Sequence, residues 1–242
     1  MRLIRPNCRL QFTPEDLAFI VRVLRPRVPG QEALKLLLAD EESRDLVLDD
    51  DKLLHAVLEQ PGCLGISTHF YFYILVRHVF RRAGLEDRNV ADYVAEMLAE
   101  FSHAESSRLR INRDQMPVDY IVDVLAALQT ADDVTRFFVR AHLGNALLFL
   151  AGIFPDRIRW RTERRGAPGL GYYEGIGRAC YREVSQHRLA REYDLESVYD
   201  LLAERFQDTR LALNDLQDRL VSLGDADAAV KALLSTSAQM WQ

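Results

Sequence analysis

Apolar residues recur every three or four positions along almost the whole chain, which is the spacing of one face of an α-helix. Several of these stretches begin with capping residues, as at 13–16, where a hydroxyl group, a proline and two acids follow one another. Glycine and proline are sparse, with 12 and 8 residues. The pattern therefore predicts an all-α protein, a compact bundle of about nine to eleven helices.

Two short segments depart from the helical spacing. Residues 108–111 and 157–161 alternate polar and apolar side chains with a period of two, which is typical of a β-strand. Both segments lie between predicted helices. One small two-stranded β-ribbon on the helical body is therefore an open alternative.

The longest apolar stretch lies in the middle of the chain. Residues 137–154 contain a single charge, Arg140, so we expect the helix 131–153 to be the most buried element. We do not expect it to span a membrane, because a span needs about 20 mostly apolar residues and polar side chains interrupt this run. Such a helix needs neighbours on all sides, so we predict one domain over 1–242. The loop 155–170 is the best candidate for a sub-boundary.

Composition narrows the classes of protein to which the chain can belong. It has 242 residues, 48% of them hydrophobic, and a net charge of −5. These values exclude a disordered chain and a polytopic membrane protein, and the acidic balance argues against a general nucleic-acid binder. Only three of the 31 basic residues are lysine, which indicates a GC-rich bacterial genome. No secretory signal is visible at the N-terminus, so we expect a bacterial cytoplasmic protein.

One segment opposes the acidic mean charge of the chain. The predicted loop 155–170 holds five arginines and a tryptophan within nine residues. Guanidinium and indole groups together suit an acidic protein surface or a nucleic acid. The expected contact residues are Arg157, Arg159, Trp160, Arg161, Arg164 and Arg165.

A second set of residues indicates a polar pocket. His69 and Tyr73 are four residues apart, so they share a face of the helix predicted from residue 68. A histidine titrates near neutral pH and a phenol can orient it, which suits acid–base catalysis. Glu174 follows a glycine-rich helix start and is the candidate polar group of a ligand pocket there.

A third set has the spacing of metal ligands. Glu96, Glu100 and His103 share one face of the helix predicted over 90–103. Dimetal sites in helical bundles need two Glu-x-x-His units, and the chain offers only the one at 100–103. We therefore expect a solvated helix face here, and neither a metal nor another cofactor.

These observations favour binding over catalysis. We expect a regulatory or adaptor protein that binds an acidic partner, protein or nucleic acid, through the arginine-rich loop. The protein is not expected to contact a membrane, and a homodimer is compatible with the sequence. The alternative is a helical enzyme or ligand-binding protein with a pocket around His69, Tyr73 and Glu174. This alternative includes a metal-dependent protein.

Overall fold

The computed structural model describes residues 3–24, 34, 36–59, 65–102 and 117–222. Within these residues the chain forms twelve α-helices and one short 3-10 helix, and no strand. The 3-10 helix spans Arg9–Gln11, and the α-helices are Pro14–Leu24 (α1), Glu41–Leu48 (α2), Asp51–Glu59 (α3), Thr68–Arg82 (α4), Arg88–Ser102 (α5), Pro117–Leu128 (α6), Asp133–Ile153 (α7), Pro155–Arg165 (α8), Leu170–Ser185 (α9), Arg188–Glu192 (α10), Glu196–Glu204 (α11) and Phe206–Ser222 (α12). The all-α prediction is confirmed.

Helices α4 and α5 pack along each other in the centre of the molecule. The hydroxyl of Ser67 begins α4 by accepting a hydrogen bond from the backbone N–H of Phe70 at 3.1 Å. Every residue over 70–80 in α4 and over 90–99 in α5 is buried. In α7, burial is continuous only from residue 143 onward, because residues 133–136 are exposed and residues 138–140 and 142 are half-buried. The expectation that 131–153 is the most buried helix is therefore wrong.

Helices from both sides of residue 155 pack against each other. Helix α9 lies along α7 and α11, and α12 contacts both α4 and α7. The approach of α12 to α9 depends on Gly177, because a Cβ added there would lie 2.6 Å from ring atoms of Phe206. The core is thus continuous across the segment that the sequence offers as a sub-boundary.

No single helix among the described residues is long and apolar enough to cross a membrane. Helices α7 and α8 together have the length and the apolar composition of a membrane span, but they meet at a bend of 87°. Residues 143–153 of α7 are buried inside the molecule.

Candidate functional site

The arginine-rich segment is a helix, α8, and neither a loop nor a strand. Pro155 occupies its first turn, and Gly166 ends it with a φ of 63°, a left-handed conformation that favours glycine. Ile158 and Arg161, three residues apart, both point inward and are buried. The apparent period of two therefore came from alternating arginines on a helix with one buried face. The other half of the predicted ribbon, 108–111, lies outside the described residues.

The five arginines of α8 divide into two groups. Arg161 is buried and Arg157 is half-buried. Burial, together with the positive charge of Arg161, lowers the pKa of the Arg157 guanidinium. Arg159, Arg164 and Arg165 are exposed. Only this second group is placed to contact a partner, and the first belongs to the inner face of the helix.

The exposed face of α8 also carries acids and an aromatic ring. Asp156 and Glu163 are exposed, and Arg159 donates to Asp156 at 3.0 Å. Trp160 is 50% exposed, and the guanidinium carbon of Arg165 lies 5.3 Å from its ring centroid. A cation over an exposed indole face is a favourable contact, at about 0.5–1 kcal/mol. The face is therefore mixed in charge and carries an exposed aromatic group.

A shallow pocket of about 190 Å³ lies beside this face, between α8 and the start of α9. The pocket is lined by Pro155, Arg159, Thr162, Glu163, Gly169 and Leu170. The hydroxyl of Thr162 lies within hydrogen-bond distance of the carbonyls of Ile158 and Pro168, at 3.0 and 3.1 Å, and shares its one hydrogen between them. Its methyl group faces Gly169, because a Cβ built there would lie 3.9 Å from the Thr162 Cγ2 atom. Apolar atoms therefore form much of the wall.

A second polar site lies beneath the N-terminal segment 3–12. Glu96 is 2% exposed, and its Oε2 accepts from Gln11 at 2.8 Å and lies 3.4 Å from the Nε2 atom of His69. Cys8 is fully buried and donates to the carbonyl of His69 at 3.2 Å. Burial and the nearby carboxylates raise the pKa of the Cys8 thiol. This cysteine is therefore a packed thiol and not a nucleophile.

Tyr73 lies one turn beyond His69 and is fully buried. Burial raises the pKa of its phenol. The positive charge of Arg9 lowers this pKa, whereas the negative charges of Asp45 and Asp92 raise it. The guanidinium carbon of Arg9 lies 5.8 Å from the centroid of the ring. Three buried atoms here have no hydrogen-bond partner within the described part of the chain, namely Tyr73 Oη, Arg9 Nε and Asp45 Oδ1.

Arg9 connects the N-terminal segment to two helices. Its side chain donates to Asp45 of α2 at 2.6 Å, and its backbone N–H donates to Asp92 of α5 at 2.9 Å. Burial raises the pKa of the Asp92 carboxyl to about 6, although Arg9 acts in the opposite direction. The cluster thus holds the N-terminal segment in place through charged groups.

The structure does not group Glu174 with His69 and Tyr73. Glu174 pairs with the guanidinium of Arg210 on α12, which also donates to Asn214 at 2.6 Å. Asn214 in turn donates to the carbonyl of Ala151 near the end of α7. Glu174 therefore belongs to a contact among α9, α12 and α7. The single pocket expected around the three residues is corrected to two separate polar clusters.

The solvated helix face expected at the metal-ligand spacing of α5 is wrong for Glu96, which is buried. Glu96 contacts Gln11 and His69 beneath the N-terminal segment, and Glu100 also has a polar or ring contact. His103 lies outside the described residues. Among the residues that are described, no three His, Cys, Asp or Glu side chains gather as metal ligands would.

Nothing in the sequence indicates that Arg9, Asp45 and Asp92 form one cluster. Asp45 and Asp92 lie 36 and 83 positions from Arg9, so no local periodicity connects them. The segment 3–12 carries two arginines, Arg5 and Arg9, among apolar residues, and the sequence does not distinguish which one faces the carboxylates. The chain matches no model of a known protein family, no curated protein and no solved structure.

Proposed function

We propose that this chain is a cytoplasmic regulatory or adaptor protein that binds an acidic partner, protein or nucleic acid, through the exposed face of α8. The observation that carries the proposal is the exposure of Trp160, at 50%, beside the exposed guanidinium groups of Arg159, Arg164 and Arg165. Tryptophan and arginine are the residues most often responsible for binding energy at protein interfaces.

The inner face of α8 supports this assignment. Arg157 and Arg161 turn toward the body of the protein, and Ile158 packs beside them in the core. The helix is thereby fixed in orientation, which keeps Trp160 on the exposed face. A helix that is already ordered loses little backbone entropy when it binds a partner.

The test compares partner binding by three variants. Trp160→Ala removes the aromatic group, and a triple variant replaces Arg159, Arg164 and Arg165 by alanine. Leu211→Ala on α12 is the matched control, because Leu211 is also an exposed apolar residue, at 50%. Each protein is titrated with a single-stranded oligonucleotide and used to capture proteins from cell extract, at two salt concentrations.

We expect the two α8 variants to lose a partner that wild type and Leu211→Ala retain, with unchanged melting temperatures. Binding should weaken with added salt, because exposed charges are screened over about 8–10 Å at physiological ionic strength. If the α8 variants retain every partner of wild type, this face is not the binding surface and the proposal fails.

Ligand binding beneath the N-terminal segment is a second candidate function, supported by the buried hydroxyl of Tyr73. Arg9 Nε faces Asp92 Oδ2 at 3.6 Å, which leaves Tyr73 Oη and Asp45 Oδ1 as the two atoms for a ligand. A phenol hydroxyl and a carboxylate oxygen suit a small polar molecule that donates a hydrogen bond. Tyr73→Phe tests this idea by chemical denaturation. A hydroxyl that binds such a molecule stabilises the fold, so its removal lowers stability, whereas removal of an unused buried hydroxyl does not.

A further inference from the structure

The pocket beside α8 has a volume that suits a single side chain of a partner. Pockets for drug-sized ligands measure about 300–1,000 Å³, and this one has about 190 Å³. Its lining includes Pro155, Leu170, Gly169 and Thr162, and apolar atoms form most of its surface. An aliphatic side chain is the group that such a wall accommodates, because its burial is favourable and it needs no hydrogen bond.

The rim of the pocket adds a charge requirement. Arg159 lines the pocket, and its ion pair with Asp156 is exposed on both sides, at 69% and 79%. Exposed pairs of this kind contribute little, so an incoming carboxylate can replace Asp156 at low cost. Arg164 and Arg165 are exposed on the same helix.

The same face is poorly suited to nucleic acid. Asp156 and Glu163 are exposed between the arginines, and Glu163 also lines the pocket. A nucleic-acid backbone carries closely spaced negative charges and needs a continuous basic surface. Two carboxylates on the exposed face would repel it, whereas a peptide can place its acidic groups beside the arginines and its neutral groups beside the acids.

We propose that the partner of α8 is a protein segment with an aliphatic side chain next to acidic residues, and that this side chain occupies the pocket between Pro155 and Leu170. The inference rests on the proposed function of α8 and narrows its partner to a peptide. Trp160 is exposed on the same helix and does not line the pocket.

The experiment is a selection from a randomised peptide library on the immobilised full chain. Gly169→Leu blocks the pocket, and Gly171→Leu is the matched control because it adds the same side chain outside the pocket lining. Gly169 has a φ of −79° and a ψ of 174°, which any residue adopts, and the nearest atom to a Cβ there lies at 3.9 Å. Near Gly171 no atom lies within 4 Å. Melting curves confirm that both variants fold.

We expect wild type and Gly171→Leu to enrich peptides that combine an aliphatic residue with Asp or Glu. Replacing that aliphatic residue by serine should weaken the synthetic peptide about tenfold or more, and Gly169→Leu should weaken it to a similar extent. A Trp241→Phe background leaves Trp160 as the only fluorescent tryptophan for the titrations.

Other outcomes separate the inference from the function on which it rests. No enrichment, or enrichment that Gly169→Leu does not affect, overturns the peptide inference. If an oligonucleotide then binds wild type and is lost with the triple arginine variant, binding through α8 stands with a different partner. If neither probe nor any captured partner depends on Trp160 or the arginines, both proposals fall.

Discussion

Asn145 shows how one polar residue is accommodated in the core of this protein. It lies on α7 and is 3% exposed. Its side-chain oxygen accepts hydrogen bonds from the hydroxyls of Tyr93 on α5 and Tyr181 on α9, both at 2.8 Å. Burial of a polar group is costly unless its hydrogen bonds are made, and here one oxygen serves two buried phenols. The residue thereby connects three helices.

Asn145→Leu should lower the free energy of unfolding by about 3 kcal/mol. The leucine has a similar size, but it leaves the Tyr93 and Tyr181 hydroxyls buried without their acceptor, at about 1–3 kcal/mol each. Denaturant unfolding at pH 7 measures the loss.

A triple variant serves as the control for this prediction. Combining Asn145→Leu with Tyr93→Phe and Tyr181→Phe removes the stranded hydroxyls, and replacing all partners by apolar groups is close to neutral. The triple variant should therefore recover much of the lost stability. If it is less stable than Asn145→Leu alone, the cost lies in packing and not in hydrogen bonding.

The titration of the buried Asp92 carboxyl should be visible in how the free energy of unfolding depends on pH. Its pKa is raised to about 6 in the folded protein, against about 3.9 in an unfolded chain. The folded state therefore binds this proton more tightly. The resulting stabilisation is complete below about pH 4 and is lost as the pH rises through 6, by roughly 3 kcal/mol.

Asp92→Asn removes this titration and keeps an oxygen that can accept from the N–H of Arg9. Relative to wild type, the variant should gain roughly 3 kcal/mol of stability between pH 4 and pH 7. His142 acts in the opposite direction, because burial lowers its pKa to about 4 and its contribution is lost as the pH falls below 6.5. Because His142 is present in both proteins, its contribution cancels when their free energies of unfolding are subtracted. A difference that does not vary with pH would contradict the assignment.

At the scale of helices, the sequence predicted where helices form better than it predicted which residues connect them. Spacing of three and four residues located α4, α5 and α7, because each buries most of one face or more. The same signal failed for α8, where only Ile158 and Arg161 are buried and arginines hide the period. The aspartate run 49–51 has the pattern of a helix start, but Asp49 also accepts two hydrogen bonds from Arg77 of α4, at 2.8 and 3.1 Å. That ion pair joins positions 28 apart, so local patterns cannot reveal it.

Gly177 should tolerate no side chain. Gly177→Ala places a methyl group against the buried ring of Phe206 and should cost about 1–3 kcal/mol through overpacking. Gly175→Ala on the same helix is the control, because no atom lies within 4 Å of the added carbon. It should stabilise the protein by about 0.5–1 kcal/mol through helix propensity. Equal effects at the two positions would show that α9 and α12 are not in close contact.

At the scale of the whole molecule, packing across residue 155 predicts a single unfolding unit. Helix α12 contacts α4 and α7, and α11 contacts α5, so neither half of the chain keeps its core without the other. Two substitutions, one in each half, test this. Arg9→Met removes the guanidinium that faces the buried Asp45 and Asp92, at a cost of about 3–5 kcal/mol. Leu202→Ala on α11 creates a cavity at a fully buried position, at about 2–5 kcal/mol.

Calorimetry should show one transition in wild type, with equal calorimetric and van't Hoff enthalpies. Both substitutions should lower the temperature of that same transition, because each weakens a core that the two halves share. Leu211→Ala, at an exposed position, should leave it nearly unchanged. Two transitions, of which Arg9→Met lowers only one and Leu202→Ala only the other, would place a true domain boundary within 155–170. In that case α8 would lie at the junction of two domains, and its exposed face would be sensitive to how they dock.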